Sequence, residues 1–155
     1  MASDYRLIIK DFSELTAELL YEILRLRTEV FVVEQNCVYQ DMDGLDAVSK
    51  HFALLDGEGG LVSYARLILP HEGQDYVKFG RFITDRKRRE CGAGTRVLKA
   101  AVSYARSHYP EYPLKVSGQL YLENYYKKQG FCPVSDVYLE DGIPHKLFLY
   151  EKKES

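Results

Sequence analysis

Residues 80–104, GRFITDRKRRECGAGTRVLKAAVSY, constrain the fold more tightly than any other stretch of the chain. An apolar-rich strand enters a basic, glycine-bearing turn, and the turn opens an amphipathic helix. At its centre, Arg89-Glu90-Cys91-Gly92-Ala93-Gly94 forms an R-x-x-G-x-G arrangement. A helix N-terminus presents unpaired backbone N–H groups and partial positive charge. Glycines let that backbone close on an anion without side-chain obstruction. Arg88 and Arg89 are placed to add charge-assisted bonds to phosphate oxygens. A bare G-x-G is read equally well as a solvated turn that merely starts a helix. The strand, the arginine three before the first glycine, and the helix together favour an anion site. G-x-x-x-x-G-K-[ST] is absent, so the turn is not a Walker loop. The third glycine of a dinucleotide fingerprint is also missing.

The totals set the frame. A chain of 155 residues, 46% hydrophobic and 28% charged, has room for a single domain with one sizeable core. A net charge of −2 gives no general case for nucleic acid or an anionic membrane, so the run Arg86-Lys87-Arg88-Arg89 needs a local reason. No apolar stretch is long enough to span a bilayer, and the first residues carry no secretory h-region. Three widely spaced cysteines, Cys37, Cys91 and Cys132, suggest neither a disulfide framework nor a zinc knuckle, and a reducing cytoplasm is the natural setting.

In chain order, residues 5–10 read as a strand and a helix follows to about Val30, with Leu19, Ile23, Leu26 and Val30 on its apolar stripe. Phe31-Val32-Val33-Glu34 leaves that period and reads as extended or irregular. Residues 35–50 form a long polar connection carrying Gln40, Asp41, Asp43 and Asp46. Such loops in compact domains are more often functional than idle. These acidic tips and the Glu140-Asp141 turn suggest a positively charged acceptor, although a charged loop is usually just solvated. Strands follow at 51–55, 61–69 and 75–84, the last with Val77, Phe79 and Ile83 on one face and Tyr76, Gly80 and Phe82 on the other. A helix spans about 94–109, then a strand 114–119, a short helix 122–129 with Gly130 just past its end, and strands 131–138 and 146–151. The expected fold is a single α/β domain over residues 1–155, with one mixed sheet in the order β-α-β-β-β-α-β-α-β-β. Asp41 to Asp46 fails as a calcium loop, because the fifth and sixth places hold Leu45 and Asp46.

R-x-x-G-x-G between strand and helix resembles motif A of the GCN5-related N-acetyltransferases. Tyr126-Lys127-Lys128-Gln129-Gly130-Phe131 is similar to the Y-x-x-x-G-F of that family's motif B, with Asn124 just ahead. The segment from Val30 to Cys37, Tyr39-Gln40-Asp41, and Glu140-Asp141-Gly142-Ile143-Pro144-His145 resemble the ElaA-type branch. The matches run through nearly the whole chain in the family's order.

The resemblance implies a site for acetyl-CoA as cosubstrate and no metal. Phe82, Ile83 and Thr84 would pair with the pantetheine arm as a strand does. The turn residues Arg88, Arg89, Cys91, Gly92, Ala93 and Gly94, with Thr95, would receive the pyrophosphate, and Asn124 would touch the pantetheine or adenosine side. Glu90 stands where many members carry glycine and is expected to point away from the phosphates. Tyr126 matches the general acid. A phenol titrates near ~10 and a thiol near ~8.5, so Tyr126 is protonated at neutral pH and can give its proton to the departing sulfur. A core tyrosine is the alternative reading. Tyr125 is adjacent, but helical neighbours sit about 100° apart, so only one of the two faces the thioester.

The acceptor amine needs a base. Glu34 is the first candidate, with a structural tie to backbone N–H groups as its alternative role; Asp41, Asp43 and His145 come behind it. His51 reads as a core or edge histidine. Cys91 could be acidified by the helix terminus, but direct transfer in a ternary complex is the family expectation. The implied activity is acetyl transfer to a primary amine. The alternative is a catalytically silent CoA-binding sensor or partner-binding module. Neither a nucleic acid nor a membrane partner is expected, and exposed sheet edges would allow a homodimer.

Overall fold

Short apolar runs cut by glycine and proline turns produce an eight-stranded sheet in the computed structural model, which describes residues 4–89 and 91–151. Strands β1 (Arg6–Asp11), β2 (Ser49–Leu55), β3 (Leu61–Ile68) and β4 (Val77–Thr84) form an antiparallel meander. Strand β5 (Leu114–Gln119) lies parallel to β4. β8 (Ile143–Tyr150) runs antiparallel to β5 and carries both β6 (Phe131–Pro133) and β7 (Tyr138–Glu140). The expected strand 131–138 is therefore two short strands on different stretches of β8. β7 turns into β8 through Asp141-Gly142, both at positive φ, which suits a tight hairpin.

Helices cover both faces, so β2 and β3 are buried almost end to end rather than alternating with polar residues. α2 (Ala93–His108) packs Val97, Leu98 and Ala101 onto Phe52, Leu54 and Phe79. α1 (Ala17–Arg27) lies on the other face, with Ile23 and Leu26 against Ala53, Leu55 and Tyr64. Each fully buried Leu, Ile or Phe contributes about 1.5–3 kcal/mol relative to exposure. α1 starts at Thr16, whose hydroxyl accepts from the Leu19 N–H at 3.1 Å. It does not turn extended at Phe31. It widens into a π-helix, Thr28–Glu34, which keeps Val30 on the core side.

β4 carries one residue more than β3 opposite it. Tyr64 pairs with Ile83 but Arg66 pairs with Gly80, and Arg81 sits in the bulge at φ 49°. The extra residue reverses the alternation. Val77 and Phe79 face α2, whereas Ile83 faces α1 and Phe82 packs toward α2. The simple two-residue period expected for this strand is thus wrong past Gly80. The parallel ladder to β5 covers Val77 to Phe79 and Leu114 to Val116; beyond them β4 continues only with β3, and β5 only with β8.

The polar connection before β2 is not a freely solvated acidic loop. Arg27 is fully buried, with Nε 2.9 Å from Asp41 Oδ2 and Nη1 2.7 Å from Asp46 Oδ1. Arg66 binds Asp43 through a close ion pair and Asp46 at 3.2 Å. Arg81 reaches Asp41 Oδ1 at 2.7 Å and the Asp41 carbonyl at 2.8 Å. Three arginines thus balance three aspartates. His51 Nε2–H donates to the Asp46 carbonyl at 2.9 Å, which leaves Nδ1 to accept from the Tyr64 hydroxyl at 2.5 Å. Burial pushes this imidazole below its usual range, as befits a neutral core histidine.

Arg27→Ala leaves Asp41 and Asp46 facing a buried gap, and is expected to cost about 3–5 kcal/mol of unfolding free energy in urea titrations. Burial alone would raise Asp43 and Asp46, but the hydrogen bonds from Arg66 and Arg27 hold both below the usual carboxylate range. The stability they contribute is present above their unfolded pKa near ~3.9 and fades as pH falls below it. Wild-type melting temperature should therefore drop steeply below about pH 4.

Candidate active site

Where β4 and β5 part, a cleft of about 600 Å³ opens through the sheet. Its walls bring Phe79, Phe82, Val116 and Tyr126 together with Arg81 of the bulge and Ser117 and His145 of the far strands. Residues of the 35–45 loop close it from the α1 side, where Gln35 Nε2 donates to Gln119 Oε1 at 3.1 Å and the Cys37 thiol lies 3.3 Å from the Asp141 carbonyl.

Tyr126 comes from α3 (Glu123–Lys128) and is 3% exposed. Its ring sits between Phe131 and Phe148, at centroid distances of 5.8 and 5.2 Å. Gly118 supplies the space: a Cβ there would stand 2.7 Å from Tyr126 Cε2 and 3.0 Å from Phe148 Cε1. Burial raises the Tyr126 hydroxyl above its ordinary range, so it stays protonated at neutral pH. Tyr125, one position earlier, turns away. Its hydroxyl meets Thr95 Oγ1 at 2.8 Å and its ring stacks on Phe82.

At the outer end of β4 lies the glycine turn. Gly92 is the N-cap of α2 at φ 77°, and it offers no side chain to cap the helix. The first turn holds no acidic residue, and the first N–H groups of an α-helix, here those of Ala93, Gly94 and Thr95, have no partner within the helix. Gly94 lets the helix start close to β4, where a Cβ would stand 3.0 Å from Thr84 Oγ1 and 3.2 Å from Phe82 Cζ. The donor set and the absence of side-chain bulk fit a pyrophosphate.

The basic side chains of the turn are engaged elsewhere. Arg89 forms a bidentate pair with Glu34 at 2.6 and 2.9 Å and donates to the Thr84 carbonyl at 3.1 Å. Arg88 pairs with Asp56 at 2.7 Å. The hydrogen bond from Arg89 holds Glu34 below the usual carboxylate range. Glu34 thus ties the π-helix to the turn, and it is not among the residues that line the cleft. The Cys91 thiol points to the Arg88 carbonyl at 2.9 Å, and Asn124 is exposed on α3. Glu90 lies outside the described residues.

Neither the bulge at Arg81 nor the grouping of Ser117, Tyr138, Glu140 and His145 on one wall is legible in the sequence. The alternation of β8 and the hairpin signal at Asp141-Gly142 carried part of the second, but pairing of β8 with β5 was not readable.

Three comparisons bear on this arrangement. Residues 10–150 match the family model for the acetyltransferase (GNAT) domain. The chain is 40% identical over 134 residues to protein ElaA of Escherichia coli, covering 86% of this chain and 88% of that protein. Among solved structures, an acyl-CoA N-acyltransferase from Pseudomonas aeruginosa superposes with a TM-score of 0.88 at 38% identity, covering 95% of this chain and 99% of the other. Escherichia coli ElaA gives 0.88 at 36%, with the same coverage.

Gly118→Ala should displace the Tyr126 ring and cost about 1–3 kcal/mol by overpacking. A melting temperature equal to that of the wild type would show that the ring relaxes without strain.

Proposed function

The chain belongs to the GNAT family, and from that premise we propose that it is an acyl-CoA-dependent N-acyltransferase that moves an acetyl group to a primary amine. The observation that carries this reading is the cleft itself. A protonated, buried Tyr126 and a glycine-started helix stand at the edge where β4 and β5 diverge.

In this reading the N–H groups at the start of α2 hold the pyrophosphate, with Gly92, Ala93, Gly94 and Thr95 as the cradle. The edge of β4 at Phe82, Ile83 and Thr84 receives the pantetheine arm, because its ladder to β5 has already ended. Arg88 and Arg89 shape the turn through Asp56 and Glu34 and reinforce the positive field from behind. A backbone N–H near Phe82 or Ile83 stabilises the charge that develops on the carbonyl oxygen. Tyr126 gives its proton to the sulfur as the carbon–sulfur bond breaks. Glu34, locked to Arg89 and held at low pKa, acts as a brace for the turn rather than as the base. The acceptor reaches the cleft from the side of the 35–45 loop.

Acetyl-CoA should raise the melting temperature by mass action, and Gly92→Val should abolish that shift, since φ 77° is strained for a branched residue. No wild-type shift at high ligand excess would remove the acyl-CoA reading. Tyr126→Phe should keep the shift while lowering thiol release by about 10²–10⁴-fold. Wild-type rates in that variant would remove Tyr126 as the acid. Acetyl-CoA binding without thiol release against any amine would favour a silent sensor.

A further inference from the structure

The acid proposed above needs a partner that takes a proton from the attacking amine. This inference rests on the acyltransferase reading. We propose that His145 Nε2 is that proton acceptor, with Glu140 holding and then releasing the proton to solvent.

The ring's hydrogen bonds fix its form. Nδ1 lies 2.7 Å from the Ile143 carbonyl, which can only accept, so Nδ1 carries the hydrogen and Nε2 keeps its lone pair. Nε2 stands 3.5 Å from Glu140 Oε2, too far for a normal hydrogen bond but close enough for an ion pair once the ring is charged. Glu140 is prepared for this. Its other oxygen accepts from Ser117 Oγ at 3.1 Å, and Ser117 Oγ is in turn bonded closely to the Tyr138 hydroxyl. The Tyr138 hydroxyl can donate to Ser117 Oγ, which leaves the Ser117 hydrogen for the carboxylate. Tyr138 stacks on the His145 ring at 6.2 Å. The histidine side chain is 8% exposed, whereas the Glu140 side chain is 45% exposed, so a proton captured inside has a route out.

Strand register puts the two proton-handling groups on opposite sides of the sheet. Gly118 pairs with Lys146, and Phe148 follows two residues later on the same face, where the Tyr126 ring packs. His145 pairs with Gln119 in β5 and with Tyr138 in β7, so its side chain leaves by the opposite face, beside Ser117 and Glu140. Both groups line the same cleft. A thioester in the gap would meet the acid from the helix side and the base from the loop side.

The other charged groups on these walls do not compete for the ring. From β3, β4 and the 35–45 loop, Arg66, Arg81 and Asp43 are bound to one another. Lys78 and the turn residue Asp141 line the cleft without an ion pair to the ring among the described residues. Glu140 alone of the described carboxylates lies within ion-pair reach of Nε2.

The step balances. As the nitrogen–carbon bond forms, the amine gives one N–H proton to Nε2. The carbon–sulfur bond breaks, its electron pair stays on sulfur, and sulfur takes the Tyr126 proton. Solvent then removes the proton from His145 through Glu140 and returns one to Tyr126. An amine that arrives as an ammonium loses its first proton by the same route.

Long-range proton–nitrogen NMR of the imidazole rings, on the full chain with acetyl-CoA, tests this without knowledge of the natural acceptor. His145 should show a hydrogen on Nδ1 and none on Nε2 when neutral. A hydrogen on Nε2 of the neutral ring overturns the proposal. As a second readout, thiol release from acetyl-CoA with butylamine should fall about 100-fold in His145→Gln while the melting shift with acetyl-CoA persists. Equal rates overturn the assignment of the base. Absence of the melting shift in the wild-type protein overturns the acyltransferase reading and this inference with it, whereas an intact shift with Nε2 protonated overturns only the inference.

Discussion

The parting of β4 from β5 after three paired residues is the constraint on which the site depends. Parallel strands held in register throughout would bury their edges in hydrogen bonds and leave no room for a thioester. The bulge at Arg81 accompanies the divergence. An arginine at φ 49° is an unfavourable backbone state that surrounding contacts must hold in place. Those contacts are visible: the Arg81 guanidinium reaches both the carboxylate and the carbonyl of Asp41, and Asp43 as well.

This places an unusual weight on a buried ionic cluster. Arg27, Arg66 and Arg81 hold Asp41, Asp43 and Asp46, and so anchor to the sheet and α1 a loop that composition alone would leave in water. Desolvating six charges is costly, and an apolar cluster of equal volume could be as stable. What the ionic version supplies is direction. Forked guanidinium bonds fix the loop at one height above the cleft, where Gln35 and Cys37 can bridge to Gln119 and to the β7–β8 turn. Aspartates paired in this way are not free to pair with a positively charged partner, whereas the acidic Glu140-Asp141 turn lines the cleft.

The same economy of roles appears at the glycine turn. Arg88 and Arg89 are turned toward Asp56 and Glu34, which leaves the backbone N–H groups at the start of α2 as the donors for the proposed pyrophosphate. Glycine matters at two points for different reasons. At Gly92 the left-handed backbone starts the helix, and at Gly118 the lack of a side chain admits the Tyr126 ring.

The sequence by itself determined the strand–turn–helix around Gly92, the helix and strand order as far as residue 130, and the absence of the Walker and dinucleotide patterns. Each of these is local: a period, a cap or a spacing within one or two turns of chain. The split of residues 131–140 into two strands, the π-helix after Arg27, and the inverted facing of Ile83 were decided by tertiary structure, because each depends on which strand or helix lies alongside. The partners of charges were decided there too. Glu34 and Arg89 are 55 residues apart, and Arg27 and Asp46 are 19 apart, so no local pattern distinguishes a base from a brace or a solvated acid from a buried one. Long-range ion pairing is set by the folded geometry that brings two charges together, and the chain's alphabet records only that both are present.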